Sequence, residues 1–289
     1  MLKQFALAGF AALVLAACGQ QKQAEAPAAA PAASEASAAA DNAGQTENAV
    51  AGSLIDRINN KGVITVGTEG TYAPFTFHDA AGKLTGYDVE VTRAVAAKLG
   101  VTVEFKETQW DAMLAGLKVG RFDLVANQVA LTTPERRATF DKSAEYSWSG
   151  PMMLTRSDEE GIKVLADIKG RKAAQTLSSN YGEMAVEAQA EIVPVDGMAQ
   201  ALTLVQQKRA DLTLNDSLAL LDYLKKNPES GLKTAWTAGG EAKHGAGFIA
   251  NKGNDEAVAK ISTAVEELRQ DGTLKKLGEE FFGQDVSVK

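Results

Sequence analysis

Thr132-Thr133-Pro134-Glu135 runs directly into Arg136 and Arg137. The threonine–glutamate spacing is a capping-box pattern and proline suits a first helical turn, so a helix is expected to begin here. Two guanidinium groups in that turn add positive charge where a helix N-terminus already carries about half a unit of it. An anion nearby would relieve this. A carboxylate could pair with a guanidinium in bidentate geometry and accept the backbone N–H groups that a helix start leaves free. Either arginine could serve, and both could equally be solvated beside Glu135.

Signatures of bond-breaking chemistry are missing from the sequence. It contains no Gly-x-Ser-x-Gly, no Walker loop and no zinc-spaced cluster of His and Cys. The histidines, His78 and His244, lie far apart and read as surface or loop residues. No cofactor, metal or catalytic residue is expected.

The elements that must position such a site read as α/β, because short β-branched runs alternate with longer amphipathic ones. Val63-Ile64-Thr65-Val66-Gly67 is a strand. Tyr87 to Leu99, with Val91, Val95 and Leu99 on one face, is a helix ended by Gly100. Val101 to Lys106 is the next strand, Trp110 to Lys118 the next helix and Asp123 to Ala126 a third strand. Part of this pattern recurs: Lys61-Gly62 is echoed by Lys169-Gly170, and Arg121-Phe122-Asp123-Leu124 by Arg209-Ala210-Asp211-Leu212. Two related lobes would explain the echo. Ligands of open α/β sheets sit beyond the carboxyl ends of parallel strands, which directs attention to residues 127–133 and to Asn215-Asp216.

Three runs carry a family resemblance: Tyr72-Ala73-Pro74-Phe75, then Gly86-Tyr87-Asp88-Val89-Glu90-Val91, then Asn127-Gln128-Val129 leading to Thr133-Pro134-Glu135-Arg136. From about Leu54 onward the chain resembles the periplasmic amino-acid-binding proteins that feed ABC transporters, family 3 of the solute-binding proteins. Asn127-Gln128-Val129 and Ser178-Ser179-Asn180-Tyr181 look most like the cysteine and cystine binders. The resemblance implies a two-lobed periplasmic-binding-protein fold of type II, with a mixed, mostly parallel sheet in each lobe, helices on both faces and the ligand between lobes. It implies that Arg136 binds the α-carboxylate, though the spacing from Asn127 is one residue longer than in many relatives and leaves Arg137 open. Asp216, five positions after Asp211, would grip the α-ammonium from the second lobe. An aspartate there could instead only cap a helix from Ser217 to Leu224. Tyr72 and Trp110 would pack on the ligand side chain, or belong to the core. Asn127, Gln128, Ser179, Asn180 and Tyr181 would add polar contacts. At Ala130, where many relatives have Ser or Thr, only the backbone could contribute.

At the N-terminus, Lys3 precedes an apolar run from Phe5 to Ala17 that is too short to span a membrane, so residues 1–17 read as an export signal. Leu15-Ala16-Ala17-Cys18 resembles a lipoprotein cleavage box, which would make Cys18 the acylated first residue of the mature chain. Residues 18–52, mostly Ala, Gln, Glu, Pro and Ser, read as a disordered tether. The first lobe is expected over residues 53–150 and 247–289 and the second over 151–246. Hinge crossings would fall at Tyr146 to Thr155 and Lys243 to Ala250, with Gly245 and Gly247 lending backbone freedom. A formal net charge of −7 without a basic cluster argues against nucleic acid as partner. The expected partners are an amino-acid ligand, an inner-membrane ABC permease and a membrane held through the lipid, for a monomer in the periplasm or cell envelope. A same-fold enzyme acting on a small carboxylate, dehydratase-like, and a surface-exposed interaction or chemosensory protein are the alternatives.

Overall fold

The computed structural model describes residues 53–289. The expected signal, Cys18 and tether lie outside the described residues. Ser53 caps α1 (Leu54–Asn59) through a reciprocal pair of bonds: its hydroxyl accepts from the Asp56 N–H at 3.3 Å, and the Asp56 carboxylate accepts from the Ser53 N–H at 3.2 Å. The chain continues through β1 (Val63–Thr68) and a small antiparallel sheet of β2 (Thr71–Tyr72), β3 (Thr76–His78) and β4 (Leu84–Thr85). Next come α2 (Tyr87–Leu99), β5 (Thr102–Glu107), α3 (Trp110–Lys118), β6 (Leu124–Val125), α4 (Pro134–Thr139) and β7 (Phe140–Lys142). Gly100 ends α2 in the left-handed conformation, φ 72°, that glycine adopts without steric cost.

After β8 (Ser147–Ser149) the chain builds a second lobe from β9 (Pro151–Arg156), β10 (Lys172–Gln175), α5 (Asn180–Glu187), β11 (Glu191–Pro194), α6 (Met198–Gln206), β12 (Leu212–Asp216), α7 (Ser217–Lys226) and β13 (Leu232–Thr237). It returns along β14 (His244–Ala246) and completes the first lobe with β15 (Ile249–Asn251), α8 (Asp255–Gln270) and α9 (Thr273–Phe282).

The first sheet has the order β5-β1-β6-β15-β7 and the second β11-β10-β12-β9-β13. In each, a parallel trio is flanked by antiparallel strands: β15 pairs with β6 and β7, as β9 pairs with β12 and β13. The repeated Arg-x-Asp-Leu run has a structural role in this plan. Asp123 accepts from the Thr65 backbone N–H at 2.8 Å, and Asp211 accepts from the Lys172 N–H at 2.9 Å. Each aspartate thus staples the loop before the third parallel strand to the middle strand of its parallel trio.

Helices cover both faces of the sheets. Tyr87, Phe75, Tyr146 and Phe248 are fully buried in the main core of the first lobe, while Met113, Leu117 and Phe122 pack on its other face. Burying each of these large side chains contributes on the order of 1.5–3 kcal/mol. Between the lobes, β8 and β14 pair antiparallel, His244 opposite Ser149 and Ala246 opposite Ser147. Gly245 and Gly247 do not take left-handed φ here. They are needed for closeness instead: a Cβ on Gly245 would meet Glu145 Cγ at 2.2 Å, and one on Gly247 would meet the Ser143 carbonyl oxygen at 2.9 Å.

Candidate functional site

The carboxyl ends of the parallel strands of both sheets face a common cleft. Glu69, Tyr72, Trp110, Asn127 and Gln128 line it from the first lobe. Thr176, Ser179, Asn180, Tyr181, Met198 and Asn215 line it from the second. The lobes are close together: its free volume is ≈ 40 Å³, room for a few waters. An amino acid therefore enters only when the lobes part.

Most of the expected polar side chains are held by protein partners. Asn127 braces the cleft wall, with its Oδ1 accepting from the Glu69 N–H at 2.8 Å and its Nδ2 donating to Glu69 Oε2 at 2.6 Å. Gln128 adopts left-handed φ 53° and donates its backbone N–H and Nε2 to Asp88 at 2.7 and 2.6 Å. Tyr72 donates across the cleft to Asn215 Oδ1 at 2.7 Å, a direct bond between lobes. Tyr72 and Trp110 are each about nine-tenths buried in a first-lobe core and also line the cleft. The Trp110 indole N–H is buried without a hydrogen-bond partner among the described residues. Such a group is costly unless something else accepts from it.

In the second lobe Ser179 is the N-cap of α5, its hydroxyl accepting from the Gly182 N–H at 3.0 Å. Asn180 and Tyr181 are the first residues of that helix, so its positive end lies at the cleft. Tyr181 donates to Asp216 at 3.2 Å and lies 3.5 Å from His244 Nε2.

Arg136, Ala130 and Asp216 stand beside the cleft and are not among its lining residues. The α4 cap is Thr133, whose hydroxyl accepts from the Arg136 N–H at 3.2 Å, so Glu135 comes one position too early to close a reciprocal capping box. Arg136 turns inward and is 6% exposed. It donates to the Ala130 carbonyl at 3.2 Å and, across the lobe boundary, to the Ser178 carbonyl at 2.5 Å, with its guanidinium 5.8 Å from the Trp110 ring centre. Burial lowers its pKa, and Glu183 and Glu135 offset this only in part. The Ala130 carbonyl thus helps to hold the arginine in place. Arg137 is exposed and donates to the Leu131 and Thr132 carbonyls at 2.9 and 2.6 Å.

Asp216 caps α7, accepting from the Leu218 N–H at 2.8 Å, and its other oxygen takes the hydroxyls of Ser149 and Tyr181. Burial raises its pKa against these bonds and the nearby His244. His244 departs from its expected surface position. It sits half-buried on β14, where burial lowers its pKa against the pull of Asp216. His78 is exposed at the end of β3, with its Nε2 3.2 Å from a Glu107 oxygen. Among the described residues no cluster of three or more His, Cys, Asp or Glu could hold a metal ion.

Glu69 was not singled out from the sequence, yet it is a carboxylate in the cleft wall, pushed up to about 7 by burial. It follows β1, as Thr176 follows β10. The carboxyl-end rule applied to every parallel strand would have found both, and not only the residues after the Asp-Leu strands. Met198 arrives at the start of α6 by tertiary packing, with no local signal.

Residues 64–284 match the model of the bacterial extracellular solute-binding proteins, family 3. The chain belongs to that family. A probable amino-acid ABC transporter-binding protein of Haemophilus influenzae is 51% identical over 237 residues, 82% of this chain and 91% of the relative. The L-cystine solute receptor of Neisseria gonorrhoeae, solved in an unliganded open conformation, is 70% identical and is matched over 82% of this chain and 100% of its own, with a TM-score of 0.58. An ancestral arginine-binding protein bound to arginine is 34% identical over 77% of this chain and 99% of its own, yet scores 0.72. The gonococcal receptor was solved open, whereas direct hydrogen bonds such as Tyr72 to Asn215 join the lobes of this chain.

Proposed function

We propose that this solute-binding protein captures L-cystine, or a closely related polar L-amino acid, between its lobes and delivers it to an ABC transporter. The observation that carries the ligand class is the 70% identity, spanning all of the compared chain, to a receptor for L-cystine. In this reading Arg136 and the positive start of α5 take the α-carboxylate, exchanging backbone carbonyls for a charged acceptor that suits a guanidinium better. Asp216 takes the α-ammonium. Glu69 and the Trp110 indole N–H supply a further acceptor and donor along the side chain, and Tyr72 packs on it. A zwitterion held from both lobes binds the closed state more tightly than the open one and so shifts the population toward it. Cys18 carries the lipid that holds the protein at the membrane, supported by Leu15-Ala16-Ala17-Cys18 after a short apolar run.

Isothermal titration of the purified protein against L-cystine, L-cysteine and the common L-amino acids, with Arg136→Ala and Asp216→Ala alongside, tests the ligand. One tight, stoichiometric ligand recovered unchanged after incubation is the expected result. Absence of binding by any of them would overturn the amino-acid assignment, and conversion of the ligand would move the protein to the dehydratase-like class. Metabolic labelling with palmitate, lost in Cys18→Ala, tests the anchor.

A further inference from the structure

Among the described residues, three direct hydrogen-bonding links join the lobes at the cleft, and they differ in what a ligand would do to them. Tyr72 to Asn215 crosses the cleft itself. Arg136 to the Ser178 carbonyl uses a guanidinium that the proposed reading commits to a carboxylate. The third shares Ser178 with the second but uses no group that the proposed reading gives to the ligand. Asp111, in the first turn of α3, accepts from the Leu177 N–H at 3.1 Å with one oxygen, and from the Ser178 N–H at 2.9 Å and hydroxyl at 2.7 Å with the other.

We infer that Asp111 is a closure latch, a positioning residue that sets ligand residence time by holding the 176–179 loop of the second lobe onto the first. Asp111 does not line the cleft. The loop it grips leads into Ser179 and the start of α5, which do. Both carboxylate oxygens are occupied by donors of one short segment, and two of these are backbone N–H groups, so the contact needs no particular side chain beyond Ser178. None of these bonds can form with the lobes apart, because donor and acceptor belong to different sheets. The latch therefore adds free energy to the closed state alone. Such a term acts on release more than on capture, since the encounter precedes closure. It also acts alike on every ligand that permits closure, and so raises affinity without choosing among ligands.

The inference rests on a ligand-driven closure and not on which amino acid drives it. Spin labels at Val119→Cys and Val186→Cys, both exposed positions in opposite lobes, introduced with Cys18→Ser, report the interlobe distance, while stopped-flow chase with unlabelled L-cystine reports release. In Asp111→Ala, release is expected to be about tenfold faster with association changed less than about twofold, and the closed fraction at saturation to fall. Asp111→Asn, which keeps one acceptor oxygen, should lie between. The ratio of affinities for L-cystine and any second ligand is expected to stay constant, whereas an aspartate that merely shaped the cleft would change it. A wild type that closes on L-cystine, with an Asp111→Ala that closes as fully and releases at the same rate, overturns the latch and leaves the ligand assignment standing. A wild type that closes on another amino acid but not L-cystine overturns the assignment, and the same variants then test the latch with that ligand. A wild type that closes on none overturns both.

Discussion

Asp88 accepts the backbone N–H of Gln128 at 2.7 Å and its side-chain Nε2 at 2.6 Å, so a single fully buried carboxylate holds a cleft residue at both ends. Gln128 needs that support, because its φ of 53° is a left-handed conformation that costs a non-glycine residue roughly 1–2 kcal/mol. Its remaining amide oxygen accepts from the Ser147 hydroxyl at 2.9 Å on hinge strand β8. The start of α2, the cleft wall and the hinge are joined through one side chain.

Removing the carboxylate should therefore cost both stability and binding. Asp88→Ala is expected to destabilise by about 2–3 kcal/mol in urea unfolding, the range for stranding buried donors, and to weaken the ligand about tenfold in titration. Full affinity in a destabilised Asp88→Ala would show that Gln128 keeps its place without help.

The same carboxyl makes stability depend on pH. Burial pushes both Asp88 and Glu69 up to about 7, above their values in an unfolded chain. Between about pH 4 and 7 the folded protein thus binds protons that the unfolded chain has released, and stability falls as pH rises through that window, levelling off above it. Asp271, held down at about 2 chiefly by its Lys98 hydrogen bond, has the opposite sign but acts only below about pH 4. Calorimetry should give a higher Tm at pH 5.5 than at pH 7.5, with a smaller difference in Asp88→Asn. A Tm that rises across this interval would refute the assignment.

Asp216 caps α7, and the ammonium-binding role proposed for it can be separated from the cap by substitution. Asp216→Ala removes the α7 cap and strands the Ser149 and Tyr181 hydroxyls, an expected loss of about 1–2 kcal/mol for the cap alone. Asp216→Asn keeps a capping oxygen and loses the charge. If the carboxylate grips an ammonium, the asparagine variant should melt within a few degrees of wild type while binding at least about a hundredfold more weakly, a scale set by losing a buried charge pair. Equal binding by Asp216→Asn would leave the residue a cap only.

Arg136 and Arg137 differ in burial, and their variants should differ accordingly. Arg136→Gln removes the inward guanidinium and is expected to weaken ligand binding at least about a hundredfold, by loss of a bidentate charged contact. Arg137→Gln, exposed and bonded only to the Leu131 and Thr132 carbonyls, should change affinity by less than about twofold, as surface charges commonly do. The reverse pattern in titration would move the carboxylate site to Arg137.

Much of the scaffold was legible along the chain. The period of Val91, Val95 and Leu99 and the stop at Gly100 determine α2 to its last residue, because helix periodicity and a left-handed cap are local properties. The paired Arg-x-Asp-Leu runs announce two similar sheets, since each aspartate makes the same bond to the middle strand of its parallel trio. The family was likewise readable from motifs in their order. Other features depended on distance in space. Pro134 and Thr133 start α4, but only packing turns Arg136 inward and leaves Arg137 outside. Asp216 reads equally as clamp or cap until its neighbours are in place, and the cap proves real because α7 begins immediately after it. Glu69 gives no local sign of its role; its raised pKa comes from burial between lobes whose sequences lie far apart. His244 becomes half-buried only because β14 passes beside Tyr181. By itself the sequence determined the βαβαβ order of the first lobe and pointed to a second lobe like it, since propensity, capping and periodicity act within a few residues. Which side chains meet across the cleft was decided by the tertiary structure alone, because burial and charge environment are set by atoms contributed from remote parts of the chain.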